Sequence, residues 1–284
     1  MTEISLIANA KLNLYLDITG VRPDGYHLIE SVMQSVDLGD FLTISRSAGI
    51  SVDCSDPLIP KNDGNICYKA ARLFFEEIGA ADGGAEIFIE KRIPHGAGLG
   101  GGSADAAAAL IGLDRLYGGA LSEERLREIG AKVGADVPFC MTGGTKICKG
   151  IGEVLQDTEP FPEYVFLVVM PDFRCETKAA YARYDASPLP KAGGLAAFAS
   201  SGAAFPKMMY NVFQKLYAYE RIERLCARLR ELGAEGASLS GSGAAVFGAF
   251  RSVEEAMSAA KAFPDFFTAV CKPAATGTIT VDSV

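Results

Sequence analysis

The most constraining feature of the sequence is a run of glycines between an expected strand and an expected helix. Five glycines fall within residues 96–102, after the alternating segment Ala85–Arg92 and before an alanine-rich helix expected over Ser103–Tyr117. Glycine lets the backbone approach a ligand closely and adopt positive φ values. A helix N-terminus presents free N–H groups and a positive partial charge, which favour anions and most commonly phosphate. The segment therefore predicts an anion site, with a flexible surface loop as the alternative.

Three familiar glycine motifs can be tested against this segment. The Walker A loop does not match, because no Gly-Lys-Ser/Thr follows the glycines. A protein-kinase glycine loop lies between two strands, whereas a helix is expected here. Gly96, Gly98 and Gly101 fit the spacing of the dinucleotide fingerprint, but that motif needs a second strand ending in an acidic residue about 20 positions on. A second helix is expected there instead, so a dinucleotide oxidoreductase is disfavoured.

Composition excludes several classes of protein. Lys and Arg number 27 against 35 Asp and Glu, a net charge of −8 without a basic block, which disfavours nucleic acid and anionic membranes as partners. Residues 1–11 do not resemble a signal peptide, and no apolar run reaches bilayer-spanning length. The seven cysteines are odd in number and form no CxxC pair. We therefore expect a cytoplasmic protein with reduced thiols, without a disulfide framework or a zinc site.

The order of the other expected elements indicates an α+β fold rather than a doubly wound sheet. In the first half, strands are expected around Leu12–Leu16, Phe41–Ser45 and Gly49–Cys54, and a helix over Asn65–Ile78. Pro160 and Pro162 suggest a break, which gives domains 1–158 and 159–284. The second half is expected to contain strands at 164–170, 235–239, 244–250 and 267–272, a loop at 187–206, and helices at 177–184, 208–217, 220–232 and 253–263.

Three segments resemble the motifs of the galactokinase/homoserine kinase/mevalonate kinase/phosphomevalonate kinase superfamily, and they occur in the same order. Pro94–Ala104 resembles the phosphate-binding motif, Ala10–Leu14 the first motif and Leu239–Ala245 the third. Within that superfamily, the chain resembles the 4-diphosphocytidyl-2-C-methyl-D-erythritol kinase family from about residue 5 to residue 270. The segments that carry this second resemblance are Asp24–His27, Gly39–Asp40, Gly134–Pro138 and Gly150–Glu153.

The resemblance implies a fold and an activity. The fold is a two-domain small-molecule kinase: an N-terminal domain with a left-handed βαβ unit and the phosphate loop, and a C-terminal ferredoxin-like domain. The activity is ATP-dependent phosphorylation of the 2-hydroxyl of a CDP-linked methylerythritol, in the non-mevalonate isoprenoid route. Mg²⁺ is implied with ATP, and its protein ligands stay open, with Ser103 and Asp136 as candidates. Another kinase of the superfamily and a catalytically silent relative remain alternatives.

The resemblance pairs Lys11 with Asp136 as the catalytic couple. Taken alone, Lys11 is a solvated charge at an exposed strand position, and Asp136 is a helix N-cap. As a pair they make chemical sense, because a nearby cation keeps a carboxylate ionised. The carboxylate can then orient the acceptor hydroxyl or take its proton, and these two roles stay open. Phosphoryl transfer asks mainly for positioning and charge stabilisation, so few groups are needed.

The resemblance assigns a second set of residues to the CDP-linked substrate. Tyr26 is expected to stack on the cytosine, His27 to hydrogen-bond its edge and Tyr181 to close the other side. Without the resemblance these are a packed aromatic, a surface imidazole and a buried helix residue. The set also includes Asn13, Ile151 and Thr177, and Asn13 shares a strand face with Lys11 because it lies two positions away.

A third set is assigned to the nucleotide. It comprises Asn65, Ile66, Lys91, Pro94, His95, Gly96, Ala97, Gly98, Leu99, Gly100, Gly101, Gly102, Ser103 and Ala104. His95 is included by position, without a chemical role. Lys91 is otherwise a surface charge that ends a strand, and Ser103 otherwise caps its helix. The glycines at 241 and 243 are expected to support the phosphate loop, with a plain hairpin turn as the alternative.

Overall fold

The computed structural model describes residues 2–80, 82–159, 161, 164–217 and 220–281. Pro160 and Pro162, which suggest the break between the halves, lie outside the described residues. The first half contains β1 (Glu3–Val21), β2 (His27–Arg46), β3 (Ser51–Cys54), α1 (Ile66–Glu77), β4 (Ala85–Glu90), α2 (Gly101–Leu116), α3 (Glu123–Val133), α4 (Val137–Thr142), β5 (Thr145–Lys149) and β6 (Val154–Asp157). The second half contains β7 (Val165–Met170), α5 (Thr177–Ala186), α6 (Leu195–Ala199), α7 (Phe205–Met208), β8 (Tyr210–Asn211), α8 (Val212–Tyr217), α9 (Glu220–Glu231), β9 (Gly236–Leu239), β10 (Val246–Phe250), α10 (Val253–Ala260), β11 (Phe267–Cys271) and β12 (Thr278–Val281).

The first half is organised around one mixed sheet. Its main strand order is β12-β1-β2-β4-β3, and β5 pairs with β2, β6 with β5 and β8 with β1. Strands β3 and β4 are parallel and are connected through α1, so they form a βαβ unit. The remaining pairs of this sheet are antiparallel, apart from the parallel pair of β1 with β8.

Strand β1 is buried on both of its faces, which explains why it belongs to two cores. The alternation around Leu12–Leu16 predicts a strand with two different faces, yet residues 8–18 are all buried. Leu6 and Leu16 pack in the core under the helices of the first half. Leu12 and Leu14 pack in a second core that contains apolar side chains of the C-terminal sheet. The expectation that Lys11 is exposed is therefore wrong, because β1 lies between two packed layers.

Strand β2 is much longer than the sequence indicates. Only Phe41–Ser45 is expected as a strand, whereas β2 runs over 20 residues from His27. Polar residues such as Gln34 and Asp37 hide the strand in the sequence. Its pairing with β1 also shifts register between Asn9 and Ala10, where β2 carries extra residues. The first part of β2 pairs with β5 and the second part with β4, so this hairpin spans the whole sheet.

The second half confirms the ferredoxin-like expectation. Strands β7, β9, β10 and β11 form an antiparallel sheet in the order β11-β7-β10-β9. In chain order the unit reads strand, helices, two strands, helix, strand, which is the split βαβ arrangement. Among the described residues, no helix is both long and apolar enough to cross a membrane.

Residues 187–217 contain more structure than expected. The single helix expected over 208–217 is wrong: α7 and α8 flank the short strand β8, and α6 lies within the expected loop. The interruption has a physical cause, because Tyr210 and Asn211 pair in parallel with Tyr15 and Leu16 of β1. Strands β8 and β12 thus return to the first sheet, although both lie beyond the expected boundary at 158/159.

Strand β4 offers a test of which face of the first sheet carries its stability. Ile87 is fully buried, while its neighbour Phe88 is 45% exposed on the opposite face. We expect Ile87→Ala to lower the free energy of unfolding by about 2–5 kcal/mol, since it leaves a cavity. Phe88→Ala, on the same strand, should cost less than about 1 kcal/mol. Urea unfolding of both variants checks this, and an equal loss would contradict the assigned orientation of β4.

Candidate functional site

A cavity of about 1000 Å³ lies where the two halves meet. Its wall combines the glycine-rich segment, parts of β1 and β2, the start of α4 and one face of α5. The predicted site residues that line it are Lys11, Asn13, Tyr26, His27, Asn65, Ile66, Lys91, Pro94, His95, Gly96, Ala97, Gly98, Leu99, Gly100, Gly101, Gly102, Ser103, Asp136, Ile151, Thr177 and Tyr181. The volume is at the upper end of the range for small-molecule pockets, which leaves room for two ligands side by side.

The glycine-rich segment approaches its neighbours so closely that side chains would not fit. Gly98 has a φ of +79°, and a Cβ there would lie 2.1 Å from the carbonyl oxygen of Ser240. Gly100 has a φ of +73°, and a Cβ there would lie 2.8 Å from Cγ of Lys11. The turn at 240–243 is held under the loop, because Ser240 Oγ donates to the carbonyl of Gly98 over 2.9 Å.

Helix α2 begins two residues earlier than expected. Gly100 is its N-cap, so Ser103 lies inside the first turn and does not cap the helix. The first helical hydrogen bond runs from the N–H of Ala104 to the carbonyl of Gly100. The N–H groups of residues 101–103 precede that bond, and such groups at a helix start can bind an anion.

Ala104 is the predicted nucleotide-binding residue that does not line the cavity. Its side chain is fully buried in the main core, and its N–H is used within the helix. Its side chain therefore does not reach the cavity, and its assignment to the nucleotide stays a prediction.

Lys11 is the centre of a buried polar network on β1. Only 4% of the residue is exposed, and its Nζ donates to Oδ1 of Asn13 over 2.5 Å. The same Oδ1 accepts the N–H of Gly241 over 2.9 Å. Asn13 in turn donates to Ser31 of β2. The ammonium is thus held by an amide that also binds the supporting turn of the C-terminal half.

Asp136 completes this centre from the opposite wall. Its Oδ2 lies 3.5 Å from Nζ of Lys11, and its side chain is 28% exposed. It occupies the N-cap position of α4 without making a side-chain capping bond. The carboxylate is therefore free to face the cavity. Gly152 lies close by, since a Cβ on it would be 3.5 Å from Oδ1 of Asp136.

The aromatic residues lie at the other end of the cavity. Tyr26 is 60% exposed, whereas the ring of His27 packs against Tyr181 with centroids 4.6 Å apart. Nε2 of His27 lies 2.7 Å from Oδ1 of Asp185. Burial, with a contribution from the charge of Asp136, raises the pKa of Tyr181 to about 12. The expected stacking partners of a base therefore do line one cavity with the Lys11–Asp136 pair.

Lys91 belongs to a buried ionic cluster and is not a surface charge. Its Nζ lies 2.5 Å from Oδ2 of Asp40 and 2.7 Å from Oδ2 of Asp105. Asp40 also accepts the N–H groups of Arg92 and Ile93 through Oδ1. The cluster fixes the chain where β4 leads into the glycine-rich segment. The earlier alternative of a solvated charge is wrong, because two carboxylates compensate the buried ammonium.

Burial and the charges of this cluster shift the pKa values of Asp105 and Lys91. Burial and the neighbouring charge of Asp40 raise the pKa of Asp105 well above its usual range. Burial lowers the pKa of Lys91, but the two carboxylates outweigh it and the net pKa is raised. Oδ1 of Asp105 is buried without a hydrogen-bond partner among the described residues.

The remaining predicted residues have local structural roles as well as cavity positions. Asn65 caps α1 by accepting the N–H of Cys67, and it donates to the carbonyl of Pro60. Thr177 Oγ1 lies 3.0 Å from Oγ of Ser242. The N–H of Ile151 donates to Glu153. Within the described residues, no group of three or more His, Cys, Asp or Glu side chains could hold a metal ion.

The cavity wall also contains residues that were not identified from the sequence, and two of them, Asp185 and Asp105, carry carboxyl groups. Asp185 lies eight residues after Thr177 and four after Tyr181, a spacing that puts all three on one helix face. This signal was lost because the helix was expected to end at Tyr184, whereas α5 continues to Ala186. Asp105 stands alone among alanines on a buried helix, and a buried charge of that kind needs a partner.

Comparisons with known proteins agree with one another on the kinase fold. Residues 65–144 match the family model for the GHMP kinase N-terminal domain, and residues 195–269 match that for the GHMP kinase C-terminal domain. The 4-diphosphocytidyl-2-C-methyl-D-erythritol kinase of Syntrophomonas wolfei is 40% identical, over 92% of this chain and 94% of that protein. The crystal structure of a 4-(cytidine 5'-diphospho)-2C-methyl-D-erythritol kinase is 30% identical and superposes with a TM-score of 0.79, covering 95% of this chain and 98% of that one. A homoserine kinase from Cytophaga hutchinsonii shares the fold at 19% identity and a TM-score of 0.76, covering 99% of this chain and 98% of that one.

The Asp105 carboxyl predicts a particular dependence of stability on pH. Its pKa is raised in the folded state, above about 3.9 in the unfolded chain. The stabilising contribution is therefore fully present below about pH 3.9 and is lost as the pH rises through the folded-state pKa. Asp105→Asn stays neutral, so we expect it to gain stability relative to the unchanged protein as the pH rises towards neutrality. Urea midpoints at a series of pH values measure this, and a pH-independent difference would contradict the raised pKa.

Proposed function

This chain belongs to the 4-diphosphocytidyl-2-C-methyl-D-erythritol kinase family of the GHMP kinases, and from that membership we propose that its cavity phosphorylates the 2-hydroxyl of 4-diphosphocytidyl-2-C-methyl-D-erythritol with ATP. The reaction is a step of the non-mevalonate route to isoprenoid precursors, and we place it in the cytoplasm. Its partners are small molecules, with no role for nucleic acid or a membrane. In this proposal, domain 1–158 supplies the phosphate loop and domain 159–284 supplies the aromatic helix α5.

One observation carries the assignment of the site. The Lys11–Asp136 pair, 3.5 Å apart, lies in the same cavity as the glycine-rich segment and the Tyr26–His27 pair. This arrangement suits an anionic donor at one end and a flat base at the other, with the reacting groups between them. A site for a single ligand would not need both ends.

The proposed chemistry uses the pair directly. The acceptor hydroxyl attacks the γ-phosphorus of ATP, its proton passes to the carboxylate of Asp136, and ADP leaves. Lys11, whose Nζ lies 3.5 Å from that carboxylate, supplies positive charge where negative charge develops on the transferred group. The free N–H groups of residues 101–103 suit the phosphates that stay on ADP. Most of the rate then comes from positioning and electrostatics, as is usual for phosphoryl transfer.

The donor oxygens present in the cavity fit Mg²⁺ bound mainly by phosphate. Ser103 offers a hydroxyl in the first turn of α2, and Asp136 offers a partly exposed carboxylate. Mg²⁺ commonly keeps several waters and takes one or two protein oxygens together with substrate phosphates. We propose that these two residues hold the ion, which supplies neutralisation of phosphate charge.

The substrate end is proposed to recognise cytosine. Tyr26, exposed to 60% at the cavity rim, offers a free ring face for stacking on the base. His27 and Tyr181 form the wall beside it. A coupled ADP-release assay with the CDP-linked substrate, alongside mevalonate and homoserine, tests the choice of acceptor. Turnover of a cytidine-free acceptor at a higher kcat/KM would instead favour another kinase of the superfamily, and ATP binding without any turnover would favour a silent relative.

Removal of the proposed base gives the sharpest test of catalysis. We expect Asp136→Asn to lower kcat by about 10²–10⁴-fold, because the amide cannot take the hydroxyl proton. The KM for the CDP-linked substrate should change much less. Asp157→Asn, an exposed aspartate paired with Lys146 outside the cavity, is the matched control and should keep the full rate. An Asp136→Asn enzyme with close to full kcat would rule out the assigned role.

The stacking role of Tyr26 predicts a split between the two substrates. Base stacking on an aromatic ring is worth about 1–3 kcal/mol. Tyr26→Ala should therefore raise the KM for the CDP-linked substrate by roughly 5- to 150-fold, while the KM for ATP stays nearly constant. Phe88→Ala, an exposed aromatic away from the cavity, serves as the control. Equal increases in both KM values would count against stacking.

A further inference from the structure

We propose that Asp185 is a specificity-determining positioning residue, which holds His27 in one tautomer so that the site selects cytosine over uracil. The inference rests on the proposed function, because it concerns the base end of the same cavity. It begins from a contact that joins the two halves of the protein: His27 opens β2, and Asp185 lies in the last turn of α5.

The contact fixes which nitrogen of His27 carries a proton. Oδ1 of Asp185 lies 2.7 Å from Nε2 of the ring. An ionised carboxylate only accepts hydrogen bonds, so Nε2 must carry the hydrogen. In the neutral ring, Nδ1 is then an acceptor with a free lone pair. No residue in the described ranges hydrogen-bonds Nδ1.

Packing holds the ring as firmly as the hydrogen bond does. The side chain of His27 is only 10% exposed. Tyr181 covers one face with centroids 4.6 Å apart, and Tyr184 meets the ring nearly edge-on at 82° and 5.8 Å. Both tyrosines come from α5, as Asp185 does, so one helix sets both the plane and the tautomer of the imidazole. The ring borders the cavity that holds the proposed base site.

An acceptor at Nδ1 distinguishes the two pyrimidines. Cytosine carries an exocyclic amine at position 4, which donates hydrogen bonds, whereas uracil carries a carbonyl oxygen that only accepts. The Nε2–H tautomer can therefore bind the amine of cytosine and opposes the oxygen of uracil. A buried polar group left without a partner is costly, so the wrong base is penalised as well as the right one favoured.

Substitution of Asp185 by a donor-only group tests this in the whole enzyme. In Asp185→Lys, the ammonium can only donate to Nε2, which moves the ring hydrogen to Nδ1. We expect the ratio of kcat/KM for the CDP-linked substrate to that for its UDP-linked analogue to fall about tenfold or more, mainly through KM. Asp172→Ala removes an exposed aspartate that pairs with Arg221, away from the cavity, and should leave the ratio unchanged.

A double-mutant cycle separates this role from a merely structural one. If Asp185 acts through the imidazole, Asp185→Lys should no longer change the base preference in a His27→Ala background. The tautomer itself is visible by ¹⁵N NMR of the free protein, where only His27 and His95 contribute imidazole signals and His95→Gln assigns them. We expect a protonated Nε2 and an unprotonated Nδ1 for the neutral ring, exchanged in Asp185→Lys.

The possible outcomes distinguish a failure of the inference about Asp185 from a failure of the proposed function. If NMR shows the inferred tautomer but the enzyme does not turn over the CDP-linked substrate, the Asp185–His27 contact stands and the proposed function is overturned. If turnover is full but the base preference does not change in Asp185→Lys, the inference is overturned and the kinase assignment stays intact. The same holds if the neutral ring of His27 is protonated at Nδ1.

Discussion

The burial of the Lys11 ammonium is the interaction on which the rest of the site depends. An uncompensated charge at such a position would cost several kcal/mol, so the surrounding chain is built to receive it. Asn13 accepts from Nζ and from the N–H of Gly241 through one oxygen. Asp136 approaches from α4. Strand β1, the turn of the C-terminal sheet and the start of α4 are thereby brought to one point, and that point is where the halves meet.

The same packing explains why glycine is needed around this centre. Gly100 covers the stem of Lys11 and Gly98 lies on the turn at Ser240, each at a distance that a side chain would violate. The glycine-rich segment is thus fixed by contacts on both sides rather than free to move as a loop. Asn211 stabilises the turn that supports this segment, because its amide donates to the carbonyls of Leu239 and Gly241. The proposed phosphate-binding end and the proposed reacting groups share one scaffold.

Local sequence signals predicted most of the elements, whereas the family resemblance supplied most of the predicted residues that line the cavity. The period-2 pattern of Ala85–Glu90 and the helix expected over Asn65–Ile78 needed no tertiary information. The interpretation of Lys11 and Lys91 as surface charges failed, because tertiary contacts decide whether they are buried. Their carboxylate partners lie on other elements of the fold: Asp136 for Lys11, and Asp40 and Asp105 for Lys91. The first strand of the sheet is buried on both faces, so its alternation could not reveal how it is packed. Strand β8 is short, and only its pairing with β1 interrupts what would otherwise be a helix.

The return of β12 to the first sheet has a consequence for any attempt to dissect the protein. Residues 278–281 pair along Ser5–Ala8 of β1, and the N–H of Asn9 donates to the carbonyl of Gly277. A fragment cut at 158/159 would expose this length of β1 as an unpaired edge that can template association with another strand. The first sheet is therefore discontinuous in sequence, and a soluble N-terminal fragment would have to carry residues 274–281 back in through a linker or a circular permutation.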